Sequence, residues 1–485
     1  MRRLKSWLMV LMAGLTLAAS VGAQAGNAVG LSDVLKDVAA NYGTLGVLDL
    51  KLQQATAELD KIESQLGWKL KGGAALARDV SIFGSRTDRL SANAGLVKPY
   101  ESGSSLSLTG VETLEDADAA FSPNLPNPAH NTNLDVSYRQ PLWRGKGNPQ
   151  FKQGRAAANA GVSVSESARD TVRDNVAERV SRLFFGAART RARLENAHDA
   201  VQRARKLRAS AGRDFSLGVS EKKDVLQAEA QLRARQADYD GLLAAWNQQR
   251  TDINRLTGKQ WNAVFQPRVQ SKPLGVPVAM MVANALAHSP DIKEKQARLA
   301  SLDATIKARQ DAQEDKLDLI YSAGLRRRAG DATGGNVDDI DPVASLSVEY
   351  ERALDKRGVD AELTQALLDK DILRTEIEEA RKDLEYRVHG LVDQINATRS
   401  ALRSSRSSRD AERKKLQDAR ARYDDGREIT SRLIQFETEY QIADLTYRQQ
   451  LIDLAEKRAD LQRLTGTIWA GVTFADAGES PSVKQ

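Results

Sequence analysis

The chain has 485 residues with a mean hydropathy of −0.48; 28% of them are charged, 5% are aromatic and the formal charge is +6. That length allows several ordinary domains. So few aromatics among so many charges exclude one large apolar core, and the Ala-, Arg-, Gln-, Glu- and Leu-rich stretches have the composition of long helices or coiled coils.

Residues 1–25 read as a secretory signal peptide: Arg2, Arg3 and Lys5 come first, then the apolar run Leu8 to Leu17, then the small-residue site Ala23 to Ala25. Removing those three cations lowers the charge from +6 to +3, too little to define a partner. The chain has no cysteine, so an exported form carries neither a disulfide nor an N-terminal lipid-modified cysteine. No later segment is apolar enough for a transmembrane helix, and a membrane role therefore has to rest on strands, whose signal is weak per segment.

A helical run is predicted over residues 32–66. The period then drops to two. "WKLKGG" at Trp68, "LSANAGL" (Leu90 to Leu96), "SLSLTG" (Ser105 to Gly110) and "NLDVSYRQ" (Asn133 to Gln140) each alternate apolar with polar residues, as strands with one apolar face do. "VKPYESGSS" (Val97 to Ser105) is a turn between two of them, and residues 115–133, rich in Asn, Asp and Pro, read as a loop. A polar, proline-free helical run covers about 153–210. The second half repeats the order: helix over 280–313, alternating segments "LDLIYSAGL" (Leu317 to Leu325) and "SLSVEY" (Ser345 to Tyr350) around a Gly- and Asp-rich loop at 329–342, then a helical run over about 360–423. A run of roughly 55–60 residues spans about 85–90 Å as a helix.

After each long run the same phrase recurs. "NRLTG" ends at Gly258 and "QRLTG" at Gly466, 208 residues apart, and Gly218 and Gly426 upstream keep that offset. Between them Val225, Leu232, Tyr239, Trp246 and Ile253 recur every seven residues, and the positions 208 further on are Leu433, Tyr440, Tyr447, Leu454 and Leu461. A seven-residue apolar seam predicts coiled-coil packing, and its recurrence predicts an internal duplication. A second seam, Ala228, Leu242 and Leu256, is matched by Phe436, Gln450 and Leu464. In "RLTG" the leucine closes the seam and the glycine stops the helix. The predicted organisation is a first repeat over 26–262, with β segment 66–142 and helical hairpin 153–257. A second repeat covers 263–466, with β segment 317–351 and hairpin 360–465, and a tail follows over 467–485. Two strands per repeat give about four per chain; the first half offers up to four alternating segments, and its extra pair either lengthens a loop hairpin or joins the sheet. Strand edges cannot stand unpaired in hydrocarbon, and the smallest barrels need about eight strands, so several copies must close one barrel.

The signal peptide, the duplicated helix–strand–helix halves, "YRQPLWRGKG" (Tyr138 to Gly147) and the paired turns "FSLGVSEKKDVLQAEAQL" and "YDDGREITSRLIQFETEY" together resemble the TolC-like outer-membrane efflux proteins. The resemblance covers nearly all of the mature chain. It implies a mainly α fold with a membrane β-barrel: a homotrimer sharing one 12-stranded barrel, with an α-helical tunnel in the periplasm. Its function would be the exit duct of a tripartite efflux pump or type I secretion system, passive and gated, in outer-membrane lipid. A periplasmic membrane-fusion adaptor and an inner-membrane transporter would be its partners. The alternative of another class is a periplasmic coiled-coil scaffold or adaptor with a small β domain.

The resemblance makes Leu217, Gly218 and Val219, with Asp425, Gly426 and Arg427, the adaptor-contacting tips. Without it they are ordinary helix–helix turns. The second trio carries charges where the family usually has small or apolar residues. The family's constriction acid corresponds to Asp224, with Arg432 at the matching place, and Gln227 and Gln435 lie three residues on. Asp224 and Arg432 either pair across neighbouring hairpins or are solvated helix charges. The arginines of "LRRRAG" (Leu325 to Gly330) are expected at a solvated rim, with the lumen or anionic lipopolysaccharide as the other reading. Trp68, Tyr138, Trp143, Tyr321 and Tyr350 are candidates for an interfacial aromatic belt. No enzyme, metal or cofactor site is expected: His130, His198, His288 and His389 lack metal-ligand spacing. Acids and bases alternate along the helices, which argues against a nucleic-acid patch.

Overall fold

The computed structural model describes residues 28–41, 43–80, 85–118, 125–218, 221–269, 275–425 and 427–472. The signal-peptide reading and most of the C-terminal tail therefore fall outside the described residues. In chain order come α1 (Leu31–Asn41), α2 (Gly43–Glu63), β1 (Lys69–Val80), β2 (Arg86–Pro99), β3 (Ser105–Ala117), β4 (Ala129–Pro141), α3 (Pro149–Ser216) and α4 (Lys222–Leu256). Then follow α5 (Val278–His288), α6 (Pro290–Gln313), β5 (Lys316–Ala332), β6 (Gly335–Glu351), α7 (Arg357–Asp424) and α8 (Thr430–Leu464). None of the described helices is long and apolar enough to cross a membrane.

The duplication is visible in the helix ends. α3 and α7 each have 68 residues and α4 and α8 each have 35, and every start and end lies 208 residues from its counterpart. A 68-residue helix has a contour of about 100 Å. The heptad seam explains which side chains turn inward: Trp246 and Ile253 are buried, and so are Leu454 and Leu461 at the same offset.

Contacts divide the chain into two units. The first comprises Met1–Asn41, Arg179–Pro273 and Ile395–Arg458; the second comprises Tyr42–Glu178, Leu274–Gln394 and Ala459–Gln485. In the first, α1 buries Val34, Leu35, Val38 and Ala39, the i, i+1, i+4, i+5 spacing of one helical face. Val29 pairs in parallel with Pro267, and Lys259 reaches Asp37 at 2.6 Å. Phe184, Phe185 and Phe265 form the aromatic core, with Trp246 stacked on Phe265.

The second unit holds one antiparallel sheet in the order β1-β2-β3-β4-β5-β6. This corrects the expected four strands: the described residues hold six, because the alternating segments near Trp68 and Leu90 form a hairpin hydrogen-bonded to β3. A twelve-strand count, three times four, no longer follows from the chain's own strands. The stretch at 329–342, read as a loop, is also mostly strand. β5 and β6 stay in register from Lys316↔Glu351 to Ala332↔Gly335. Its charges are absorbed across the ladder, as in the bidentate Arg327–Asp338 pair. Residues 115–117 and 129–133 are strand as well. The helical run at 280–313 is broken at Ser289, whose hydroxyl caps α6 just before Pro290, a favoured first helical residue.

The "RLTG" glycines end α4 and α8 alike. Gly258 has φ +69° and Gly466 has φ +71°. Lys259 N donates to Asn254 O at 2.9 Å and Thr467 N to Gln462 O at 2.8 Å, the six-to-one bond of a Schellman cap. Surroundings differ: a Cβ on Gly466 would lie 2.3 Å from the His288 ring, and one on Gly258 would lie 3.0 Å from the Asn41 side chain. Gly466→Ala is therefore expected to cost more than about 1 kcal/mol and more than Gly258→Ala. Thermal melts of the two variants check this, and equal losses would refute it.

Candidate functional site

The tip and constriction candidates lie in the first unit, where α3 turns into α4 and α7 into α8. Val219 and Gly426 fall outside the described residues. Gly218 has φ +77°, a left-handed conformation that side chains with a Cβ disfavour. Its N–H donates to Phe215 O at 3.0 Å, and Leu217 N donates to Arg213 O at 3.0 Å, closing the last turn of α3. Leu217 is 75% exposed, and Phe215, Leu226 and Ile429 are exposed beside the turns. These last three were not singled out from the sequence. For Leu226 an apolar residue out of frame with the heptad seam was the available signal, whereas Ile429 lies in frame with Phe436 of the second seam and gave none.

At the second turn the Arg427 guanidinium pairs with the Asp425 carboxylate, and Arg427 N donates to Arg422 O at 2.7 Å. The charges at this turn thus satisfy each other locally.

Behind the turns the four helices share one small core. Leu207 and Ala211 of α3, Ala228 of α4, Leu416 and Ala419 of α7 and Leu433 of α8 are buried together, with Val225, Ile434 and Phe436 against them. Ion pairs bracket it. Glu229 accepts from Arg208 at 3.0 Å and from Arg233 at 3.1 Å, and hydrogen bonds from these two guanidiniums, Arg208 first, hold its carboxyl below the usual range. Lys415 bonds Glu439 at 2.5 Å, and Arg420 bonds Glu437 at 2.8 Å. Arg203 lies 4.0 Å from the same Glu437, and burial pulls its guanidinium below its ordinary value. Further along, Arg189 of α3 reaches Asp453 and Glu456 of α8.

The constriction candidates are not brought together within one chain. The Asp224 carboxylate accepts from Glu221 N at 3.1 Å, sitting three residues into α4 as an N-terminal cap. The "EKKD" spacing carried that signal. Arg432 lies 4.0 Å from Glu428 and over the Phe436 ring at 5.8 Å. Gln227 is exposed, and Gln435, also exposed, donates to Glu439 at 2.9 Å.

The sheet of the second unit is the other candidate surface. Register rows sort its two faces. One row runs Leu70, Leu96, Leu108, Val136, Ala323, Ala344, apolar on all six strands. The neighbouring row on the opposite face runs Lys69, Val97, Ser107, Ser137, Ser322, Ser345. The apolar face is uncovered: Leu70 is 76% exposed, and Leu76, Leu346 and Val348 are comparably bare. Tyr138 and Tyr321 are register partners on that face, and Trp143 meets Tyr350 edge-on at 6.2 Å. "QPLWRG" ends β4 in a tight turn: Gly145 at φ +87° donates to the Asp311 carboxylate at 2.8 Å. Of the "LRRRAG" arginines, Arg326 pairs with Asp135 at 2.8 Å and Arg328 with Asn131 at 3.2 Å.

This fold, with six strands presenting one bare apolar face and two duplicated helical hairpins, is that of outer-membrane channels. The chain matches the outer-membrane channel OprN at 18% identity and a TM-score of 0.64, over 90% of both chains. It matches the outer membrane protein VceC of Vibrio cholerae at 14% identity and 0.62, over 90% of this chain and 96% of that one. The open-state MtrE channel of Neisseria gonorrhoeae matches at 18% identity and 0.58, over 90% and 89%. In sequence, the fusaric acid resistance protein FusA of Burkholderia cepacia is 28% identical over 178 residues, 34% of this chain. That match spans about a third of the relative's length, 32%. No protein-family model matches the chain.

Proposed function

We propose that this protein is a TolC-like outer-membrane factor: a passive, gated exit duct of a tripartite efflux pump or type I secretion system. The observation that carries the reading is the uncovered apolar face on every strand, in a chain that also repeats its long helices at a fixed offset. A scaffold with a small β domain would lay helices over that face, so the scaffold reading is the weaker. The resistance named for the B. cepacia relative supports export.

In this reading three copies close one barrel in outer-membrane lipid. Their helical hairpins form a tunnel in the periplasm, built from two repeats, 26–262 and 263–466. An adaptor and an inner-membrane transporter complete the pump. Native mass of the detergent-extracted outer-membrane fraction tests this. A trimer there supports it, and a soluble periplasmic monomer refutes it.

The tips Leu217, Gly218 and Val219, with Asp425, Gly426 and Arg427, are the proposed adaptor contacts. Leu217 is exposed and apolar, as interface anchors are. Leu217→Asp is expected to weaken adaptor binding by about 2 kcal/mol or more, the scale of a hot spot, and to abolish efflux while the trimer persists. Unchanged pull-down of the adaptor would remove the tip from the interface.

Asp224, Gln227, Arg432 and Gln435 are the proposed constriction. Exposed ion pairs contribute about 0–1 kcal/mol each and a trimer holds three, so Arg432→Ala is expected to raise open probability by no more than about 150-fold. A change well above that in bilayer recordings would mean that Arg432 holds the gate with support from packing.

A further inference from the structure

Among the described residues, the first half of the chain carries a hairpin that the second half lacks. From β3 onward the long helices repeat at 208 residues, but α1 and α5, and the starts of α2 and α6, are 247 apart. The surplus of 39 residues falls between α2 and β3, where β1 and β2 lie. This insertion is built as wall. Each β1 residue from Lys69 to Val80 is paired with β2, and β2 is paired with β3. Its Leu70, Leu76, Leu90 and Leu96 continue the apolar face.

The insertion moves one free edge of the sheet from β3 to β1; the other is β6. Six antiparallel strands end on opposite senses, so β1 of one copy can lie antiparallel to β6 of the next. Both edges carry bare backbone polar groups that hydrocarbon does not tolerate unpaired. On the proposed trimeric reading, which this deepens, we propose that β1 pairs with the β6 edge of a second copy, so that three chains close an eighteen-stranded barrel.

Level strand ends set the register. Along the ladder the residue level with Lys69 is Ser345, six positions short of the base of β6 at Glu351. Closing with the bases level therefore staggers the sheet by six residues per six strands. At about 3.3 Å per residue and 4.8 Å per strand, that is a tilt of about 35°, within the range of closed barrels. This stagger keeps the apolar face outward, sets Leu70 beside Tyr350, and places Lys69 and Lys71 opposite Glu351 and Glu349, which within the chain also meet Arg144 and Lys316. Barrel diameter grows roughly linearly with strand number, so the outer-membrane lumen is about half again as wide as that of a twelve-stranded barrel.

The chain has no cysteine, so introduced thiols report cleanly. The test is Lys71→Cys with Glu349→Cys, oxidised in the outer-membrane fraction and resolved on a denaturing gel. Within one chain these positions lie five strand spacings apart, about 24 Å, so a disulfide joins only different chains. A covalent trimer is expected. The control is Ser107→Cys with Glu349→Cys, which links only if β3 meets β6 and the insertion stands outside a twelve-stranded wall. A β3–β6 link, or no β1–β6 link in a native trimer of correct mass, overturns the proposal and leaves the channel reading intact. Absence of any outer-membrane trimer defeats the channel reading itself.

Discussion

Phe184→Ala is expected to destabilise the helical unit by about 3–5 kcal/mol, the usual cost of truncating a buried phenylalanine. Phe184 is 1% exposed and meets Phe185 edge-on at 5.3 Å and Phe265 at 6.1 Å. Trp246 stacks on Phe265 at 6.0 Å. Removing the Phe184 ring opens a cavity bordered by the Phe185 and Phe265 rings. It also removes two edge-to-face contacts, each contributing about 0.5–1.5 kcal/mol beyond burial. The site is not symmetric between repeats. The position 208 residues on is Val392, so the aromatic cluster belongs to one copy of the duplication and depends on Phe265 from the segment after α4. Denaturant unfolding in detergent measures the effect, with Tyr386→Ala, 77% exposed, as a near-neutral control. A loss under about 1 kcal/mol would show that the cluster is not a stabilising core.

The helices were legible because their signal is local. Trp246 and Ile253, or Leu454 and Leu461, are read as buried from seven-residue spacing alone, and the caps at Gly258 and Gly466 follow from one glycine each. The strands were legible only where alternation was strong. β1 contains Gly72, Gly73, Ala74 and Ala75, which have little strand preference of their own, and its ladder with β2 overrides that. The Asp-rich stretch at 338–341 looks like a solvated loop until Arg327 faces it across the sheet. Such pairing depends on partners that are not near in sequence. Asp224 shows the same limit at the candidate constriction. Its nearest engagement, the cap on α4, is readable from "EKKD". Any gate it builds with Arg432 would be assembled between hairpins, out of reach of one chain's sequence.

Asp318→Ala is expected to cost about 1.5–3 kcal/mol, the scale of hydrogen bonds to a charged group, because Asp318 is buried while Arg139 is half-exposed, and to act at the base of the sheet. Asp318 is 1% exposed. Its Oδ2 accepts from Arg139 Nε at 2.7 Å, and Lys316 Nζ lies 3.7 Å away. Arg139 and Asp318 come from β4 and β5, so the pair joins the two strands on either side of the seam between the repeats. In the alanine variant Arg139 loses its carboxylate, while Lys316 keeps Glu349 at 2.7 Å. Asn, which keeps the shape and one acceptor, should recover only part of the loss, because a neutral amide does not compensate the Arg139 guanidinium. The double variant Asp318→Leu with Arg139→Leu should recover more, since a paired charge can be replaced by packed apolar side chains at little cost. Heat-dependent dissociation of the detergent-solubilised assembly reads all three. If the Asn and Ala variants melt alike, at wild-type temperature, the pair does not hold β4 to β5 and the ladder alone does.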